Sequence, residues 1–210
     1  PVANPDGYVH THTRNRFWRK NRRKFIYCKG ADVNRNFELD WGIAGITENN
    51  ECKDGYAGPY PFSEQESLAL RDVISERKDN TVAVIDLHSY GNLILYPWSA
   101  RSKSTVDLDL HARTAEGMVE AIYEATNETY SFGPTYHKIY PATGSLQDWA
   151  YSQGIQHSYS IETRDTGRNG FLVPPNEIEN TGKELLAAVK FLAEKIEPPV
   201  MRRDDNNEWF

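Results

Sequence analysis

Apolar and polar positions change period several times along this chain, and each change marks an element. Val82-Ala83-Val84-Ile85-Asp86-Leu87-His88 is a β-branched run, and Leu93-Ile94-Leu95-Tyr96 follows it after the turn-forming Gly91-Asn92. Both read as interior strands. From His157 to Thr163 the pattern alternates, with Tyr159 and Ile161 on one face and Ser158, Ser160 and Glu162 on the other, which predicts a strand that delivers Glu162. Helical spacing appears three times. Ser63-Glu64-Gln65-Glu66 is a capping-box pattern ahead of Leu70, Val73 and Ile74; Leu108, Ala112, Ala115, Val119 and Ile122 repeat the period, as do Leu185, Val189, Leu192 and Ile196. Strands interleaved with helices and joined by long loops imply an α/β layered sheet, in which chemistry collects at strand ends. No internal repeat interrupts the pattern. Residues 197–210 carry no period and read as a flexible extension beyond a single domain over 1–196.

Composition narrows the class. At 210 residues and 39% hydrophobic content the chain is long enough to bury a substantial core. A formal charge of -6 and a pI near 5.6 argue against a general nucleic-acid or anionic-membrane binder. No apolar run reaches the about 18 residues of a membrane span, and Pro1-Val2-Ala3-Asn4 offers neither an initiator Met nor a signal segment, so a soluble, processed or truncated chain is expected. Cys28 and Cys52 form an even pair that makes either one disulfide or two buried thiols. With the sequon Asn127-Glu128-Thr129, the pair leans towards a secreted, extracellular protein.

Candidate chemistry sits at the ends of the predicted strands. His88 closes the first strand where the chain leaves the sheet, a place suited to a metal ligand and equally to a satisfied rim histidine. Glu162 is a general-base candidate or half of a structural ion pair. Arg14 to Lys24 is dense in cations and reads as a solvated basic loop, as a polyanion surface, or as the source of one arginine that points into a site. Asn34-Arg35 pairs an amide with a guanidinium, suited to gripping a carboxylate. Tyr140 lies in a loop of turn formers from which it could swing over a ligand. No G-x-S-x-G elbow occurs and neither cysteine has a nearby histidine, so an activated Ser or Cys nucleophile has little support.

In order, Asn4-Pro5-Asp6-Gly7-Tyr8, Asn15-Arg16-Phe17-Trp18-Arg19-Lys20, Asp32-Val33-Asn34-Arg35-Asn36-Phe37, His88-Ser89-Tyr90 and Glu162-Thr163-Arg164-Asp165-Thr166-Gly167-Arg168 resemble the pancreatic-type (A/B) zinc metallocarboxypeptidases, from the start to about residue 195. That resemblance implies a three-layer α/β/α fold with a mixed central sheet. It also implies an exopeptidase that hydrolyses the C-terminal bond of peptides and proteins with one Zn2+ ion. His88 matches a zinc ligand, Glu162 the general base, Arg19 the arginine that polarises the scissile carbonyl, Asn34 and Arg35 the carboxylate clamp, and Tyr140 the mobile tyrosine that closes over it. Asp32 matches the carboxylate that orients a zinc-binding histidine. Tyr90 joins the substrate site, Gln147 matches the base of the side-chain pocket, and Asp86 shares the strand face of His88 and is placed near that pocket. Cys28 and Cys52 match a disulfide of the group. The expected protein is a monomer, with a propeptide or a protein inhibitor among its partners and no role for nucleic acid or membrane.

Two features depart from the pattern. The family's remaining ligands come from an H-x-x-E motif, giving the His2Glu site of which carboxypeptidase A is a standard example. Here none of His10, His12, His88, His111, His137 and His157 is followed three residues later by Glu. The N-terminal part of the domain, with two ligands, is therefore expected upstream, and this chain alone is expected to be inactive; the alternative is an inactive binding protein of the same fold. Gln147 is neither the apolar residue of A-type enzymes nor the aspartate of B-type ones, and the lack of an acid there leans towards a broad A-type preference.

Overall fold

A computed structural model describes residues 2–196; the expected extension over 197–210 lies outside the described residues. The chain forms α1 (Pro5–Thr13), α2 (Gln65–Arg77), β1 (Ala83–Ser89), β2 (Leu93–Tyr96), α3 (Leu108–Thr126), β3 (Ser131–Pro134), α4 (Thr135–Lys138), α5 (Leu146–Ser152), β4 (His157–Thr163) and α6 (Ile178–Lys195). The strands make one sheet in the order β1-β4-β2-β3. β1–β4 and β2–β3 are parallel and β2–β4 antiparallel, so the sheet is mixed.

Each face of the sheet buries its own core. Ile94, Tyr96, Tyr159 and Ile161 pack against Ala115, Met118 and Ile122 of α3 and Ala188 and Leu192 of α6. A fully buried apolar side chain of this size contributes about 1.5–3 kcal/mol. Gly117 allows the close approach of the two helices, because a Cβ there would lie 2.0 Å from Phe191 Cζ. On the opposite face Phe37, Phe62, Trp149 and Ala150 pack with Leu68, Leu70 and Ile74 of α2 and with Val84. The result is the three-layer α/β/α arrangement that the resemblance implied. Among the described residues no helix is long and apolar enough to cross a membrane.

Three details differ from the sequence reading. β1 is an edge of the sheet among the described residues rather than an interior strand, and Leu87 is 55% exposed. Val73 points outward, and Leu68 takes its place against the core. The capping box does not form. The Glu64 carboxylate is buried and draws in the Ser63 hydroxyl at 2.7 Å, the Asn21 amide at 2.7 Å and Arg23 at 2.9 Å, so Ser63 is not free to cap α2. Satisfying a buried charge outweighs satisfying a helix terminus that water reaches.

Cys28 and Cys52 are bonded across a sequence separation of 24. Closing a loop of this length stabilises the fold by about 3 kcal/mol through the unfolded chain. The far end of β4 is anchored by a buried polar cluster. Glu184, fully buried on α6, accepts from Arg164, from the Tyr130 hydroxyl at 3.0 Å and from the Thr126 hydroxyl at 2.9 Å. Arg164 follows β4 directly and also pairs with Glu177. Glu184→Ala leaves that guanidinium and two hydroxyls short of an acceptor in the interior, and is expected to cost about 3 kcal/mol or more. A urea titration should show a lower midpoint with an unchanged slope, and a smaller loss for Glu184→Gln.

Candidate active site

The pairing of β1 with β4 places the central residues. His88 lies opposite Glu162 and Asp86 opposite Ser160. β2 adds Leu93 beside Glu162 and Leu95 beside Ser160. Successive side chains alternate across a sheet, so His88, Glu162, Asp86 and Ser160 share one face while Ile161 and Tyr159 go to the α3/α6 core. A cavity of about 340 Å³ opens over this face, and His88, Glu162, Arg19 and Arg35 are among the charged or titratable side chains in its lining.

His88 is held by a carboxylate. Asp86 Oδ2 lies 2.6 Å from Nε2 of the imidazole, and the Asn34 amide donates to the same oxygen at 2.8 Å. Burial alone would push the His88 pKa down, but the charge and hydrogen bond of Asp86, with help from Glu162, raise it above its usual value. Because Nε2 is taken, Nδ1 is the nitrogen left for a ligand. Glu162 is in the opposite condition. Burial raises its pKa against the pull of His88 and Arg19, and its Oε2 is buried with no hydrogen-bond partner.

The basic loop resolves into one inward-pointing arginine. Trp18 ties the loop down by donating its indole N–H to the Asn21 carbonyl at 3.2 Å, and Arg22 stacks on its ring. Arg19 then reaches the site, where Nε donates to Asp32 Oδ2 at 2.7 Å. Asp32 is buried, and burial would raise its pKa; Arg19 and Arg35, with hydrogen bonds from Arg19 and the Asn34 N–H, carry it below its ordinary value. Asp32 also accepts that N–H at 3.0 Å, starting the turn that presents Asn34 and Arg35. Arg35 donates to the Tyr140 hydroxyl at 3.2 Å. Tyr140 is 54% exposed at the rim. Its loop is pinned at Gly144, whose φ of +61° and whose absent Cβ, which would sit 2.2 Å from the Arg35 carbonyl oxygen, both require glycine.

Arg19, Asn34, Arg35, His88, Tyr90, Tyr140, Gln147 and Glu162 are thus brought to one cavity. Asp86 and Asp32 are not; they line an adjoining cavity of about 560 Å³. The placement of Asp86 near the side-chain pocket is therefore corrected: its carboxylate turns to His88 and Asn34, the polar groups nearest to it across the edge strand. Thr135, Ile139 and Phe171 also line the first cavity. No sequence signal marked them, whereas Ser160 was readable from its alternation with Glu162.

The chemistry of His88 suits one ligand of a zinc ion, since Asp86 occupies Nε2 and leaves Nδ1 free. Among the described residues no group of three His, Cys, Asp or Glu side chains is placed to hold a metal.

The profile of the zinc carboxypeptidase family matches residues 1–188. Carboxypeptidase B of Bos taurus is 41% identical over 197 residues, covering 91% of this chain and 46% of that protein. Carboxypeptidase A4 of Mus musculus is 39% identical over 198 residues, covering 93% and 47%. Among solved structures, bovine thrombin-activatable fibrinolysis inhibitor in complex with tick carboxypeptidase inhibitor superposes with a TM-score of 0.90 at 35% identity, over 92% of this chain and 67% of that one. Carboxypeptidase A from Helicoverpa armigera gives 0.86 at 35% identity, over 92% and 49%. The chain spans about half the length of the curated relatives quoted.

Asp32 yields a pH test. Its native pKa lies below the ordinary 3.8, so its contribution to stability is complete above that value and is lost as the pH falls through the native one. Asp32→Asn is expected to cost about 1–3 kcal/mol near neutrality. In thermal melts from about pH 7 to about pH 2, the gap between the two proteins should stay constant and then close only below 3.8.

Proposed function

The chain belongs to the zinc carboxypeptidase family, and from that premise we propose that the protein it comes from is a secreted metallo-exopeptidase that releases single residues from peptide C-termini. The observation that carries the reading is Glu162 Oε2, buried and unpartnered on the strand next to His88. A carboxylate kept dry and raised in pKa is poised to take a proton.

Each side chain then has one task. Arg35, with Asn34, grips the terminal carboxylate of the substrate through charge-assisted hydrogen bonds. Tyr140, already 3.2 Å from Arg35, closes over the bound end. The clamp restricts cleavage to chain ends, since an internal bond offers no carboxylate to hold. Arg19, oriented by Asp32, stabilises the oxyanion that develops on the scissile carbonyl. Glu162 takes the proton from the attacking water and delivers it to the departing amine as the C–N bond breaks. His88 would hold the zinc through Nδ1, with Asp86 fixing the ring. Bound zinc supplies the Lewis acidity that activates water near neutral pH in sites of this type.

The disulfide fits an oxidising, extracellular setting. A protein inhibitor that blocks the cavity mouth is a natural partner, by analogy with the tick inhibitor on the bovine structure.

In the full-length protein, Glu162→Gln is expected to reduce kcat by about 10²–10⁴-fold while zinc content is kept. Capping the substrate's C-terminus as an amide should abolish release. Full turnover by Glu162→Gln would sink the reading, and tight zinc binding without hydrolysis by the full-length wild type would favour an inactive binding protein. The 210-residue chain alone is expected to bind zinc more weakly than micromolar, because one histidine does not make a three-ligand site. Calorimetry showing tighter, His88-dependent binding would contradict this.

A further inference from the structure

The outer face of α3 takes no part in the reaction just described. α3 packs on the face of the sheet that Tyr159 and Ile161 occupy, opposite to the one that carries His88 and Glu162. It ends at Asn127, a left-handed cap with a φ of +57° whose N–H donates to the Tyr123 carbonyl at 2.8 Å. Asn127 opens Asn127-Glu128-Thr129, the one Asn-x-Ser/Thr triplet of the chain. The fold sorts the triplet by side. Glu128 turns towards the body of the protein, where it accepts from the Asn92 amide at 2.7 Å and pairs with Arg164 at 3.3 Å. Asn127 and Thr129 are exposed on either side of it.

A hollow of about 570 Å³ adjoins this acceptor. Its walls are Val119, Glu120, Tyr123 and Glu124 of α3 and Thr129 of the triplet itself. Tyr123 is 53% exposed, a large ring left uncovered on a helix whose other face is core. A helix face that met only water would carry a polar side chain there. An aromatic ring flanked by carboxylates is suited to a sugar. The negative face of the ring attracts sugar C–H groups, and the carboxylates accept from sugar hydroxyls.

We propose that Asn127 carries an N-linked oligosaccharide and that its first sugars lie in this hollow against Tyr123. The inference rests on the secreted setting proposed above, which the disulfide also fits. In that setting Asn127 Nδ2 attacks C1 of the first sugar of a lipid diphosphate-linked oligosaccharide. The Nδ2–C1 bond forms, the bond from C1 to the diphosphate oxygen breaks, one Nδ2 proton passes to a base of the transferring enzyme, and the lipid diphosphate leaves. Nothing is oxidised or reduced. The folded protein keeps such a bulky group where the acceptor stands outside the core, as Asn127 does. The backbone also suits the residue. Gly, Asn and Asp are the residues that adopt a left-handed cap readily, and of these Asn alone offers an amide. Because α3 lies across the sheet from His88 and Glu162, the glycan leaves the catalytic cavity open.

The test is peptide mass spectrometry of the full-length protein secreted by eukaryotic cells, after an amidase in heavy-oxygen water has released the glycan and turned its asparagine into labelled aspartate. Position 127 is expected to carry the label. Asn127→Gly, which keeps the left-handed cap, and Thr129→Val should lose the modification, while Thr129→Ser should keep it. Thermal melts read the seating of the sugar. Release from the wild type should lower the midpoint by a few degrees, and Tyr123→Ser should shrink that shift to less than half. Turnover of peptides should be the same before and after release. Secreted protein with an unlabelled Asn127, or an equal midpoint shift in the wild type and Tyr123→Ser, overturns this inference alone. Retention inside the cell with Cys28 and Cys52 as free thiols overturns the secreted setting, and this inference with it.

Discussion

The parallel pairing of β1 with β4 is the constraint on which the site depends. It sets His88 opposite Glu162 and Asp86 opposite Ser160, so a metal-ligand candidate, a base candidate and their supports emerge on one face. A slip of one residue would turn every one of these side chains into the α3/α6 core and bring Ile161 and Tyr159 out to water. The apolar cost of that exchange forbids it. Hydrophobic burial on one side of β4 thereby aligns the polar chemistry on the other, and Arg164 locks the strand end through Glu184.

Around that pair, two carboxylates, the buried Asp32 and the half-buried Asp86, do the orienting. Asp32 holds Arg19 and starts the turn that carries Asn34 and Arg35. Asp86 holds His88 and the Asn34 amide. Each carboxylate is stabilised by the donors it positions, so neither is an isolated buried charge. Glu162 is the exception. It is left with an empty oxygen in a desolvated place, and such an unsatisfied group persists where function requires it.

Much of the fold was legible in the sequence because its elements have strong periods. The runs at 82–88 and 93–96, the alternation at 157–163 and the three helical repeats all appear where the patterns put them. β3, α1, α4 and α5 were not foreseen: they are short or nearly polar, and tertiary contacts rather than periodicity stabilise them. The capping box at Ser63 failed for a related reason. A local motif says nothing of a buried Glu64 that recruits donors from residues 21 and 23. In the site, Arg19, Asn34, Arg35, His88 and Glu162 each favoured a bland reading alone and were found together only through the resemblance. The bond from Asp86 to His88 was open to period-two reasoning, which put both on one face, but direction along an edge strand is not written in the spacing.

A two-ended cavity follows from the way the sheet meets α5. Near the strand ends the backbone leaves the sheet, and charged side chains converge there on fixed partners, Arg19 on Asp32 and His88 on Asp86. Two residues further in, the same face of β4 is covered by α5, water is excluded, and a charge there would need a fixed partner. Among the described residues Ser160, Leu95 and Gln147 line the cavity there, and Asp86, opposite Ser160, turns its carboxylate to His88 and Asn34 instead. Because Gln147 sits on α5 and Glu162 on β4, joined by the Ser158 hydroxyl donating to the Gln147 carbonyl at 2.8 Å, the two ends are fixed relative to each other by one strand and one helix. Substitution of the Gln147 side chain leaves that backbone link intact, so the cavity lining on α5 can change while Glu162 on β4 keeps its place.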